Sequence, residues 1–110
     1  MTEAALVTKL LEGGWRDLQF EPFRAGIEIA WLRQGAPGIA VLRYASGASV
    51  PLHMHPDVEM ILVLEGEQSD EAGTYTAGEL VINAPGSQHS VISKEGCVVL
   101  LMWSKPVEFL

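Results

Sequence analysis

From Gly47 to Gly66 the chain reads GASVPLHMHPDVEMILVLEG, and this stretch decides the fold. His53 and His55 are two residues apart, so on a β-strand their side chains leave from the same face. Pro56-Asp57 supplies a bend, and the apolar run after it predicts a strand over 58–65 that returns alongside the first. Glu59 on that strand would stand beside the two imidazoles. A second stretch, Gly78 to Ser93, reads GELVINAPGSQHSVIS, and its Pro85-Gly86 turn leads into a strand that carries His89. The 110-residue chain has three histidines in all. Spending every one of them at ligand-like spacing points to a transition-metal site built from His53, His55, Glu59 and His89. Imidazole nitrogens with one carboxylate suit Zn, Fe, Mn or Ni better than Ca or Mg, which prefer shells of oxygen.

Outside these stretches the chain is a series of short apolar runs cut by turn residues. Strands are expected at 16–20, 27–33, 39–45, 49–54, 58–65, 74–76, 79–83, 88–92 and 97–103. Gln34–Gly38, Ala45-Ser46-Gly47, Asp70–Gly73 and Lys94-Glu95-Gly96 read as turns between them. So many short strands predict an all-β antiparallel sandwich or barrel. Residues 3–12 predict one short helix, with Thr2 as N-cap, Gly13-Gly14 as the stop, and a stripe of Ala4, Leu6, Val7, Leu10 and Leu11. The expected organisation is a single domain, with a helical segment over 1–14 and a barrel over 15–110. Strands 58–65 and 97–103 are apolar on both faces, so something must cover them on the outside. The N-terminal helix or a second subunit could do so, and a homodimer is expected.

Composition narrows the partners. Hydrophobic residues make up 48% of the chain, which supports a globular fold. Fourteen acidic side chains against seven basic ones give a net charge of −7. The basic residues are scattered, which disfavours nucleic acid and anionic membrane surfaces. No stretch approaches the length of a membrane span. Cys97 is the lone cysteine, so no intramolecular disulfide can form, and charges within the first dozen residues break any signal-peptide core. A reducing cytoplasm is the expected address.

Gly47, His53, His55, Glu59 and Gly66 fit the first cupin motif, G-x5-H-x-H-x3-E-x6-G, without a gap. Gly78, Pro85, Gly86 and His89 resemble the second, with Ala84 in place of the usual proline and Ser93 in place of the usual asparagine. Residues 40–105, including VLEGEQSDEAGTYTAGELVINAPGSQHSVISKEGCVVL, are more narrowly similar to ChrR-type cupins, which include the C-terminal domain of zinc-dependent anti-sigma factors. The resemblance implies a double-stranded β-helix, the cupin jelly-roll barrel. It also implies one divalent metal, zinc first, with a small-molecule ligand in the barrel as a further expectation. ChrR-type anti-sigma factors grip their sigma factor with a separate zinc-holding helical domain. Nothing equivalent is legible in this chain, which is therefore not expected to be a complete anti-sigma factor of that kind.

Two functions follow. One is a regulatory or sensory module whose closed His3Glu shell holds zinc. The other is an iron dioxygenase, as among cupins related to the ChrR type, acting on a small diketone, phenol or carboxylate at open metal positions. A purely structural metal is the plain alternative to both. Cys97 at the head of an apolar run reads as a buried, inert thiol. The acids Glu65, Glu67, Asp70 and Glu71 read as a solvated hairpin. Arg43 could clamp a carboxylate, against the simpler reading of an ion-paired surface arginine. Trp15, Trp31 and Trp103 read as core or interface.

Overall fold

Runs of aliphatic and β-branched residues separated by Gly, Pro and Asp turns form ten strands in the computed structural model, which describes residues 5–110. In chain order these are β1 (Glu21–Arg24), β2 (Ile27–Arg33), β3 (Gly38–Tyr44), β4 (Ser49–Met54), β5 (Glu59–Asp70), β6 (Gly73–Thr76), β7 (Leu80–Asn83), β8 (Gln88–Ile92), β9 (Cys97–Trp103) and β10 (Glu108–Phe109). Their neighbour order is β1-β2-β3-β9-β5-β8-β4-β10, with β6 and β7 both on β5. Every pairing is antiparallel, and the sheet curls into a half-barrel.

The twelve-residue β5 joins the two halves of the curl. Its first part lies between β9 and β7, whereas its end pairs with β6 and touches β8. The register slips between Val63 and Glu65, a bulge that reverses which face later residues present. The expected strand 58–65 thus runs on to Asp70. It also does not lie beside β4 as expected, because β8 takes that place. After the Pro56-Asp57 bend the chain instead crosses to the opposite wall of the barrel.

Two apolar clusters fill the two sides of the sheet. Inside, Ile27, Ile29, Leu42, Ile61, Val63, Val91, Val99 and Leu101 pack together. Outside, Ala30, Val41, Leu64 and Val98 are roofed by Trp15, with Leu10, Leu18 and Phe20 around it. Trp15 is buried and meets the Phe20 ring edge-on. The apolar outer face of β9 and of β5 around Leu64 is therefore covered by the same chain, whereas Met60 near the start of β5 stays exposed.

That cover is not the expected helix. Residues 5–9 have no regular structure, and two 3-10 turns follow, Leu10–Glu12 and Gly14–Asp17. Thr2 and Ala4 of the expected helix lie outside the described residues. Lys9 adopts a left-handed φ of 54°, and Leu6 and Leu11 are exposed. A helix of about ten residues is marginal unless one face is buried, and among the described residues of this segment Leu10 alone packs on the outer cluster. The expected strand 16–20 is likewise absent, since Trp15 is held by a turn, and the first strand begins at Glu21.

Candidate metal centre

Sheet register brings the three histidines together. His53 on β4 lies directly opposite His89 on β8, and His55 follows β4 at the bend. A second register slip, between Val50 and His53, puts an extra residue at Pro51-Leu52. Proline has no N–H to give a ladder, so a bulge costs little there. The slip lets Val50 and His53, three apart, both line the interior. His55 is tied to the second motif through its backbone: its N–H donates to the Ser87 carbonyl, and its carbonyl accepts from the Gly86 N–H.

One ring nitrogen of each histidine lies within 4.8 Å of those of the other two. The ring centroids are 4.7–5.1 Å apart and the planes cross at 73–90°, so the rings surround a common point and do not stack. All three are buried, His55 to 1% exposure.

Their hydrogen bonds fix the tautomers. His53 Nδ1 lies 2.8 Å from the Pro51 carbonyl, which can only accept. His55 Nδ1 lies 3.0 Å from Ser87 Oγ, and that hydroxyl gives its single proton to the Ala84 carbonyl, so it must accept from the ring. His89 Nδ1 lies 3.0 Å from Asp70 Oδ2. Burial opposes ionisation of Asp70, but hydrogen bonds from His89, the Ala72 N–H and Tyr75 outweigh it and hold the carboxyl below its usual range. When neutral, a ring held in this way carries its proton on Nδ1 and leaves Nε2 as a bare lone pair. Nε2 of His55 and of His89 are both buried without a hydrogen-bond partner.

Glu59 stands outside the group of mutually close nitrogens and joins it at His55. Its Oε1 lies 3.1 Å from His55 Nε2 and accepts a hydrogen bond from Asn83 Nδ2. With His55 in that neutral tautomer, two acceptors face each other in a dry site, an arrangement that a shared cation relieves. These residues fit a transition metal, and the three histidines could hold one. Burial lowers the pKa of His53, more than the Pro51 carbonyl raises it, which keeps that ring neutral.

The centre opens onto a cavity of ≈ 130 Å³ walled largely by Leu42, Val50, Ile61, Val91, Leu101, Trp103 and Phe109. Tyr44 and Gln68 add polar atoms to its lining. Tyr44 has its pKa raised, first by burial and then by the acidic groups of Cys97 and Glu59, so its hydroxyl keeps its proton.

Of the residues singled out in the sequence, Arg43 takes the simpler role, pairing with Glu28 at 2.8 Å. Cys97 is buried, and burial pushes its thiol up to about 11. Trp31 and Trp103 pack against each other at a centroid distance of 5.8 Å. The acidic stretch is more than a solvated hairpin. Asp70 Oδ1 accepts from the Ala72 and Gly73 N–H groups, which makes the turn, while Oδ2 holds His89. Glu71 bonds the Ser90 N–H and hydroxyl beside that histidine. Sequence reasoning missed Asp70, Ser87 and Asn83 as supports. The Asp-x-x-Gly turn signal was visible, but its link to His89 was not.

A curled antiparallel sheet with inward histidines from two neighbouring strands defines a cupin barrel. Residues 13–108 match the family described as the ChrR Cupin-like domain, and the chain belongs to that family. It is 30% identical over 96 residues to the anti-sigma-E factor ChrR of Cereibacter sphaeroides, covering 84% of this chain and 45% of that protein. The crystal structure of Rhodobacter sphaeroides SigE in complex with the anti-sigma ChrR aligns with a TM-score of 0.72 at 26% identity, over 80% of this chain and 49% of that one. The chain thus spans about half the length of the ChrR proteins it matches. An acetylacetone dioxygenase from Acinetobacter johnsonii shares the fold at a TM-score of 0.80 and 15% identity, over all of this chain and 78% of that one. No helix among the described residues is long and apolar enough to cross a membrane.

Proposed function

We propose that this chain is a sensory or regulatory cupin module that binds one divalent transition metal, zinc first, through His53, His55 and His89, with Glu59 as the fourth ligand. The observation that carries the reading is the set of Nδ1 hydrogen bonds that leaves three Nε2 lone pairs bare around one point. The Pro51 carbonyl, Ser87 and Asp70 hold the rings, and Asn83 orients Glu59. When bound, the metal supplies a Lewis-acidic centre able to attract an oxygen or sulfur donor. Kinship with an anti-sigma factor supports a regulatory role.

A second reading has its own support. Three histidines with the carboxylate to one side, next to an apolar cavity, also suit an iron site with open positions. That is the arrangement an oxygenase of small diketones, phenols or carboxylates needs, and the fold is shared with a dioxygenase. Protein purified without chelator separates the two by elemental analysis and X-ray absorption. Zinc with four protein ligands supports the sensor; iron with two or more water ligands supports the enzyme.

The proposal extends to a homodimer. With the outer face of β9 covered in cis, the surface left for a second copy is the β5–β7 edge, where exposed Met60, Leu80 and Ile82 cluster. Analytical ultracentrifugation of the parent and of Ile82→Lys tests it: a dimer lost in the variant supports the edge, and a monomeric parent rejects it. A reducing cytoplasmic address fits the single buried thiol.

A further inference from the structure

Arg24 has neither an acidic partner nor a hydrogen-bonded acceptor among the described residues. Arg16 pairs with Glu65 at 3.1 Å and Arg43 with Glu28 at 2.8 Å, while Arg33 donates to the Pro37 carbonyl. Arg24 has no ion-pair partner among the described residues, although the chain carries twice as many acids as bases. It lines the cavity beside the histidines, and its guanidinium carbon lies 4.8 Å from the centroid of the Phe109 ring. Phe109 pairs in register with His53, at a centroid distance of 5.9 Å. One aromatic ring therefore separates an unpaired cation from the metal centre, and both face the same apolar space.

We infer that this cavity binds a small organic carboxylate, with its anionic group on Arg24 and its apolar body among Leu42, Ile61 and Val91, pointing towards the histidines. The inference names the ligand class of the sensory module proposed above, and rests on that reading. A guanidinium fork matches a carboxylate with two parallel hydrogen bonds, which a half-buried arginine otherwise lacks. The walls are apolar, so the rest of the ligand is apolar too. At ≈ 130 Å³ the space is close to the roughly 150 Å³ engineered cavity that accepts benzene, so the body is about one six-membered ring in size. A dianionic phosphate would face a single guanidinium and a wall of hydrocarbon, a poor match for its charge.

Benzoate is the probe, with benzamide as its neutral isostere. Each is titrated by calorimetry into the full chain, with zinc present and again after chelator treatment, and into Arg24→Met and Arg24→Lys. Saturable benzoate binding is expected, about tenfold or more tighter than benzamide, since an ion-assisted pair is roughly that much stronger. Arg24→Met removes the preference and leaves benzamide binding and metal content unchanged; Arg24→Lys restores part of it. Benzoate that fails to bind, that binds no better than benzamide, or that binds Arg24→Met like the parent would overturn the inference. A chain that takes up no zinc yet keeps the Arg24-dependent preference would refute the metal reading alone.

Discussion

Glu59 and Asp70 lie eleven residues apart on one strand, yet each ends beside a histidine of the same cluster: Glu59 3.1 Å from His55, Asp70 3.0 Å from His89. An odd separation on a regular strand sends two side chains to opposite faces. The bulge at Leu64 removes that conflict by reversing the facing half-way along β5. Leu64 itself turns outward and packs with Trp15, while Val63 stays inside. One irregularity thus places a candidate ligand, a supporting carboxylate and an anchor for the outer cover.

Asp70→Asn keeps the size of the side chain but can turn an amide N–H towards His89 Nδ1. That would favour the opposite tautomer, with the proton on the nitrogen that must face a metal. Zinc affinity is expected to fall by roughly 10–100-fold, the usual range for losing such a support. Competition with a chromophoric chelator measures it, and circular dichroism checks the fold. An unchanged affinity would mean that Asp70 serves the hairpin alone.

Trp15→Ala tests the outer cover independently of the site. Deleting a buried Trp side chain typically costs about 3–5 kcal/mol. Urea unfolding should show a loss in that range, with zinc stoichiometry unchanged. A loss below ~1 kcal/mol, the scale of an exposed substitution, would show that the N-terminal segment does not hold the sheet.

Cys97 should be unreactive in the native protein. Burial pushes its thiol up to about 11, so the folded chain keeps the proton to higher pH than the unfolded chain does. The stability this gives is fully present below the ordinary thiol range and is lost as pH rises through it towards 11. At pH 8, alkylation by iodoacetamide should be slower in the native state than in urea by on the order of 100-fold from thiolate fraction alone. Native labelling should accelerate as pH approaches 11. Equal rates in both states at pH 8 would contradict the buried assignment.

The histidine cluster was legible because its information is local. His-x-His fixes a shared strand face, and the Pro-Gly turn before His89 fixes where the next strand begins. Strands 27–33, 49–54, 88–92 and 97–103 were equally readable, each bounded by turn residues and dense in β-formers. What the pattern hid were the bulges at Pro51-Leu52 and Leu64, which reverse facing without altering the local composition. Asp70 therefore read as a turn acid and not as the partner of His89. The N-terminal stripe misled for a different reason: helical spacing is present, but the sheet offers it only enough surface for Leu10 and Trp15. Arg24 carried no signal at all, since its place at the cavity depends on β1 folding over β10's side of the barrel mouth through Phe109.

His53, His55, His89 and Glu59 are proposed to share one cation. The direct measurement is metal content and coordination number on protein purified without chelator, for the parent, His55→Ala and Glu59→Ala. About one transition metal per chain is expected in the parent, bound through three imidazole nitrogens and one carboxylate oxygen, and lost or much weakened in both variants. A parent without metal, or variants that bind as it does, would contradict the account.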